Sequence, residues 1–128
     1  MTKLIIDAAN EKIFFILINN NNIHKTEHEN SKNYYEKLSI LINQFLEEKN
    51  SSIKKINSIY VNRGPGSFAG IRNALSWTKA IHLINKTDYY CYSFKDFGEQ
   101  NKVNYEEIPY LCSKHNIKKN LINPNYSG

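Results

Sequence analysis

A single stretch, Arg63-Gly64-Pro65-Gly66-Ser67-Phe68-Ala69-Gly70-Ile71-Arg72, limits the fold of this chain more than any other. It holds three of the five glycines, one of the three prolines and both arginines of the 128-residue sequence. An apolar, strand-like run from Ile56 to Val61 leads into it, and a helix-like run to about Ile84 leads out. Gly-Pro-Gly permits a sharp reversal, because glycine tolerates positive φ and proline fixes its own. Ser67 then stands where an N-cap belongs, with a hydroxyl able to accept from an amide of the first turn. Such a strand, glycine turn and helix can cradle an anion on backbone amides, or can simply let helix and strand pack closely. The stretch is not a Walker loop, since no Gly-Lys-Ser/Thr follows, and its glycine spacing is not a dinucleotide fingerprint. Arg72, on the first helical turn, is the better candidate to touch a partner or brace the loop, and Arg63 the weaker.

The rest of the chain reads as strands and helices arranged around this turn. Leu4-Ile5-Ile6 is a short apolar strand ending at Asp7, and Ala8 to Glu11 is a turn. Ile13 to Ile18 is apolar on both faces, which places it centrally in a sheet. Asn19 to Asn22 is a hairpin turn, since asparagine tolerates left-handed backbone. Ile23 to His28 returns as a more polar strand near an edge. Asn30 or Ser31 can cap a helix to about Lys49, with Tyr34, Leu38, Leu41 and Phe45 on one face and Tyr35, Ile42 and Leu46 widening it. That stripe is broader than one sheet requires, so it suits either a deeply seated helix or a helix with a flank on another protein. The second helix carries Phe68, Ile71, Leu75, Thr78 and Ile81 on one side. Asp88 to Ser93 is an aromatic strand. The order strand, strand, strand, helix, strand, helix, strand implies a mixed sheet with helices packed on it. Beyond it, residues 95–107 are polar, with room for a helical turn or two. Ile108 to Cys112 is a short extended apolar patch, and residues 114–128 are a polar, loosely held tail.

Composition excludes more than it identifies. The net charge of +5 and the pI near 9.1 permit contact with RNA or an acidic partner. The lysines are scattered, however, and the abundance of Asn, Lys and Ile accounts for the basic balance without selection for binding. Cys91 and Cys112 have neither metal-site nor redox-pair spacing. The apolar core of Met1 to Asp7 is too short for a signal peptide, and no run approaches a membrane span. A reduced, cytoplasmic protein without membrane contact is expected. His24 and His28 form a literal His-x-x-x-His, but on a strand they lie about 13 Å apart, too far for one metal ion. No nucleophile–base pair can be argued: Ser67 is better used as a cap, and His82 and His115 are isolated.

The element order, with Asp7 closing the first strand, resembles the lobe shared by actin, sugar kinases and Hsp70. Gly64 to Arg72 narrows this, because it resembles the Gly-Pro-Gly-Ser-Phe-Thr-Gly-Leu/Val-Arg signature of the TsaB (YeaZ) family, with Ala69 in place of Thr. These are dimerisation subunits of the bacterial tRNA threonylcarbamoyladenosine machinery and paralogues of the catalytic TsaD. Leu4 to Asp7 is similar to the family's opening strand, although Ala8-Ala9 replaces the usual Thr-Ser. Tyr92-Ser93-Phe94 stands where the family has Val-Ser-Ser-Leu. Ile108-Pro109-Tyr110-Leu111 resembles its Pro-x-Tyr-Leu-Arg, with Cys112 where that Arg is expected.

The resemblance covers residues 3 to about 98 and implies an α/β fold: one actin-like or RNase H-like lobe with a mixed five-stranded sheet. It implies a lobe over residues 1–98 and a remnant tail over 99–128 in place of the family's second lobe. It also implies a non-catalytic scaffold that binds TsaD and supports threonylcarbamoyl transfer to the adenosine beside the anticodon in tRNAs reading ANN codons. TsaE is a further partner on this view, pairing with itself is open to the isolated chain, and tRNA is met only through the complex. No cofactor or metal is expected, since the paralogue's His-x-x-x-His after the fifth strand is replaced by Ser93 to Glu99, which lacks histidine. The partner interface implied by the family's helices comprises Tyr34, Leu38, Leu41, Phe45, Phe68, Ile71, Arg72 and Leu75. Two alternatives remain: a phosphate- or nucleotide-binding protein using Gly64, Gly66, Ser67 and Arg72, and a basic accessory that binds tRNA itself.

Overall fold

Apolar side chains crowd both faces of the first two strands, and the sheet forms around them. In the computed structural model, which describes residues 1–98 and 103–126, β1 (Thr2–Asp7), β2 (Lys12–Asn19), β3 (Asn22–Glu29), β4 (Ser58–Asn62) and β5 (Asp88–Tyr92) make one sheet. Its order is β3-β2-β1-β4-β5. β2 runs antiparallel to β1 and β3, whereas β4 runs parallel to β1 and β5. β2 is interior, as its two-faced apolarity requires, but β1 holds the middle position. Asn20 takes φ 57° in the β2–β3 turn, the left-handed conformation asparagine allows. β3 is an edge strand, polar on both faces, and its charged residues guard the open edge against pairing with other chains.

One face of the sheet is covered by α1 (Lys32–Tyr35), α2 (Leu38–Glu48) and α3 (Phe68–Asn85). Leu4, Ile6, Phe15 and Leu17 from the strands meet Ile42, Leu46, Ile71 and Ala74 from the helices there. The helix expected from about residue 31 to 49 is in fact broken, because Lys37 leaves helical backbone at φ −117° and ψ 26°. Two adjacent tyrosines, modest helix formers, end the first piece. Tyr34 stacks on His28 of β3, with ring centroids 5.7 Å apart, so the first turn is anchored to the sheet edge. Ser31 is the N-cap residue, though without a side-chain cap bond. Asn30 instead pins the β1–β2 turn, its Nδ2 donating to the carbonyls of Ala8 at 2.7 Å and Asn10 at 2.6 Å.

The other face is covered by the last third of the chain. α4 (Ile108–Lys114) and 3₁₀ turns at Phe94–Phe97 and Tyr105–Glu107 pack Phe97, Ile108, Leu111 and Cys112 onto Ile5, Ile16, Tyr60 and Tyr92. This corrects the extended patch expected at Ile108 to Cys112. Pro109 sits in the first turn of α4, where a missing amide costs nothing and the fixed φ suits a helix. Ile108, Leu111 and Cys112 then fall on one buried stripe. The helical turns expected over 95–107 are present at Phe94–Phe97 and Tyr105–Glu107; residues 99–102 lie outside the described residues.

The loosely held tail is also corrected. Asn120 donates its amide to the Tyr89 carbonyl at 2.8 Å, and Asn125 donates to the Arg63 carbonyl at 2.7 Å. Lys119 forms an isolated antiparallel bridge with Tyr90. Residues 103–126 thus share a core with the lobe instead of trailing from it, so residue 98 marks no boundary in packing.

Candidate functional site

The three parallel strands end on the same side of the sheet, at Asp7, Asn62 and Tyr92. Open α/β sheets take their ligands in the crevice beyond such carboxyl ends. Here the chain's own groups fill it. Asp7 is fully buried; its Oδ1 accepts from the Ala9 amide at 3.0 Å and its Oδ2 from the Tyr105 hydroxyl at 2.7 Å. Asn62 Oδ1 accepts from the Gly64 amide at 2.9 Å. The Ser67 amide donates to the Ala9 carbonyl at 2.7 Å, and Ser67 Oγ accepts from Gly70 at 3.1 Å as the expected cap. Carbonyl oxygens of Asn125, Ala9 and Ala8 stand where a Cβ would project from Gly64, Gly66 and Gly70. The glycines thus allow close backbone approach, and the loop turns two of its amides inward. Gly64 and Ser67 therefore do not present those donors to an anion.

The arginines exchange their expected weights. Arg63 braces the loop through a two-pronged contact with Asp96, Nη2–Oδ1 at 2.9 Å and Nε–Oδ2 at 3.3 Å. Asp96 also accepts from the Ser93 amide at 2.8 Å, completing a capping box. Arg72 is exposed on α3 and makes no hydrogen bond or ion pair among the described residues. The Ser93-x-x-Asp96 spacing was a legible capping signal; the contact from Tyr105 to Asp7, across 98 positions, had none.

Burial shapes the titration of this end. It raises Tyr105 and Tyr92 above the ordinary tyrosine range, and the Asp7 carboxylate adds to both shifts. Burial likewise pushes the Cys91 thiol up to about 11, partly offset by the Asn123 backbone amide and by Arg63. Cys112 rises to about 12, again chiefly by burial. Both cysteines are buried and unpaired, which leaves them poor nucleophiles at neutral pH. His24 and His28 both lie on β3, and no cluster of three or more metal-ligating side chains occurs among the described residues.

The helix layer changes the expected interface. Leu38, Phe45, Ile71 and Leu75 are only 0–4% exposed and belong to the chain's own core, while Tyr34 and Leu41 pack partly buried against it. The broad stripe is needed internally, because α2 packs on the sheet and alongside α3. Of the eight residues, Phe68, 56% exposed, and Arg72 remain on the surface. The large apolar side chains that α2 and α3 leave outside are Ile40, Phe68, Leu83 and Ile84, at 57%, 56%, 65% and 74% exposure. Among the described residues no helix is long and apolar enough to cross a membrane.

A mixed β3-β2-β1-β4-β5 sheet with helices on both faces is the actin-like and RNase H-like lobe, and the chain is an α/β protein of that class. The sequence profile described as "TsaD: tRNA N6-adenosine threonylcarbamoyltransferase" matches residues 16–92, more than half of the chain, and the chain belongs to that family. Two solved structures share the fold at TM-score 0.66 and 20% identity: YeaZ from Pseudomonas aeruginosa, and an uncharacterized protein described as similar to peptidase YeaZ from that organism. Each match covers 72% of this chain and 43% of the other, so the chain spans less than half the length of these proteins. RuvC of T. thermophilus, solved with a Holliday junction substrate, is more distant in fold, at TM-score 0.51 and 10% identity over 76% of this chain and 67% of that one. No curated protein matches the chain by sequence.

Proposed function

We propose that the chain is a non-catalytic accessory subunit in tRNA threonylcarbamoyladenosine formation, docking through the outer side of α2 and α3 on a TsaD-like catalytic subunit. The observation that carries this reading is the contrast between the two ends of the lobe. At the strand ends, Asp7 is already engaged by Tyr105 and Ala9. On the helix layer, Ile40, Leu83 and Ile84 are more than half exposed, apolar surface that a partner could cover. Family membership supports a part in that reaction, and the likeness in fold to YeaZ is compatible with an accessory one. On this reading the protein works in the cytoplasm, meets tRNA only through the complex, and has TsaE as a further partner.

The test is copurification with the TsaD-like subunit of the same organism at micromolar concentration. Leu83→Asp and Ile40→Asp, both exposed and so expected to fold, should each weaken the complex at least tenfold. In a strain lacking its own TsaB, the gene should restore modified tRNA and the two variants should not. Separate elution of the two proteins, or full affinity in both variants, would sink the reading.

A further inference from the structure

β5 is the second edge of the sheet, and unlike β3 it is rich in tyrosine and carries no guard of alternating charges. Its outer side is covered by the chain's own residues 119–126. The cover is made at points and not as a continuous ladder. Asn120, at φ 61°, donates its amide to the Tyr89 carbonyl at 2.8 Å. Its side chain accepts from the Tyr89 amide at 2.9 Å and donates to Asp88 Oδ1 at 3.0 Å. Lys119 Nζ lies 3.8 Å from Asp88 Oδ2, with both side chains roughly half exposed. Further along, the Asn123 carbonyl accepts from Arg63 Nη1 at 3.4 Å, and the Tyr126 ring meets Phe68 with centroids 4.6 Å apart. Ile122 packs partly buried against the core, but Leu121 is 48% exposed. An open cleft of about 270 Å³, with Arg63, Cys91, Asp96, Ile117, Leu121 and Asn123 among its lining, lies beside this segment.

We infer that the outer edge of β5 is a strand-acceptor site, and that residues 119–126 of a second copy of this chain can take the place of the chain's own segment. A tyrosine-rich strand edge offers backbone donors and acceptors to any extended segment of suitable sequence. The sequence seen to suit this edge is Lys119-Asn120, set against Tyr90 and Tyr89, and every copy carries it. The segment is held at points, by polar contacts and by Ile122 and Tyr126, and contributes nothing to the cluster beneath α4, so it can leave without dismantling that core. Exchange of an identical element between copies makes a dimer from contacts that already exist. The interface so formed meets the outer side of α3 only at Phe68, on which Tyr126 packs, and it does not rest on the docking reading above.

The probe is a fluorescent peptide of residues 117–126, used with the full chain and with full-length Asn120→Ala. The Tyr89 amide should lose at least tenfold of its hydrogen-exchange protection in Asn120→Ala. The peptide should bind that variant at least tenfold more tightly than the wild type, whose own segment competes, and should restore the lost protection. At a few hundred micromolar, wild-type chain should contain a dimer by light scattering that excess peptide dissolves. Unchanged Tyr89 protection in Asn120→Ala overturns the assignment of the cover, and an exposed edge that ignores the peptide overturns the acceptor site. Absence of the dimer, or a dimer indifferent to the peptide, overturns the second copy as occupant. Should Asn120→Ala not fold, native-state exchange of the wild type decides: Tyr89 must open more readily than the Ile5 and Val61 amides. Opening only with global unfolding refutes exchange of the segment.

Discussion

Gly70 shows what a single side-chain position contributes. It lies in the first turn of α3, where alanine would ordinarily gain about 1 kcal/mol in helix propensity. A Cβ there would meet the Ala8 carbonyl and the Asn30 side chain, and overpacking of that kind costs about 1–3 kcal/mol. The Cβ would fall against a backbone carbonyl, which places the cost at the upper end, so Gly70→Ala is expected to destabilise by up to about 2 kcal/mol, read as a lower urea midpoint at unchanged slope. An equal or higher midpoint would show that the β1–β2 turn can give way. Tyr105 is a second such position. Tyr105→Phe removes a donor from a buried carboxylate and is expected to cost about 2 kcal/mol near neutral pH. Its pH signature follows from burial and the Asp7 charge, which raise Tyr105 and Tyr92 above their ordinary value of 10.0. Above about pH 10 the unfolded chain gives up protons that the folded chain keeps, so stability falls as pH rises and is whole below that range. Cys91 and Cys112, raised from 9.0, begin the same loss near pH 9. Tyr105→Phe should therefore show a shallower alkaline loss than wild type in a series of urea titrations.

At the scale of elements, the connection between β4 and α3 depends on a contact outside both. Arg63 leaves β4 and is held by Asp96 of the Phe94–Phe97 turn, with 17% and 21% of the two side chains exposed. Asp96 also closes the cap of its own turn, so one carboxylate fixes the exits of two parallel strands. Asp96→Ala is expected to destabilise by about 2–3 kcal/mol, since it strands a shielded guanidinium and uncaps the turn. If its urea midpoint matches that of wild type, solvent alone serves Arg63 equally well. The α1–α2 break belongs to this scale too. Periodicity placed Tyr34, Tyr35, Leu38, Ile42 and Phe45 correctly on inward faces. It could not show that one helix ends at Tyr35, with Tyr34 stacked on His28, and that another begins at Leu38.

For the whole molecule, the decisive fact is that both faces of the sheet are covered by a chain of this length. The second face is covered by residues 94–98 and 103–117, which pack Phe97, Ile108, Leu111 and Cys112 onto Ile5, Ile16 and Tyr92. A chain ending at Gly98 would leave an apolar sheet face in water, at roughly 1.5–3 kcal/mol for each large side chain uncovered. Such a truncation is expected to be insoluble or to bind hydrophobic dyes strongly. A soluble, cooperatively folding 1–98 fragment would show instead that the first lobe stands without its cover.

The sequence alone determined the strands, the edge position of β3, the turn and cap at Gly64–Ser67, and the family. These rest on local quantities: apolar period, glycine's access to positive φ, and a nine-residue motif. α4 was nearly legible too, in the spacing of Ile108, Leu111 and Cys112, but Pro109 concealed it by suiting a first helical turn as well as an extended segment. Only the tertiary structure decided what long-range partners settle. It placed Tyr105 on Asp7, Asp96 on Arg63, and residues 119–126 on β5. It also showed that the wide stripe of α2 is spent inside the fold, leaving Ile40, Leu83 and Ile84 outside. A hydrogen bond spanning 98 positions leaves no trace in local pattern, because its geometry exists only once both ends have packed on the same sheet.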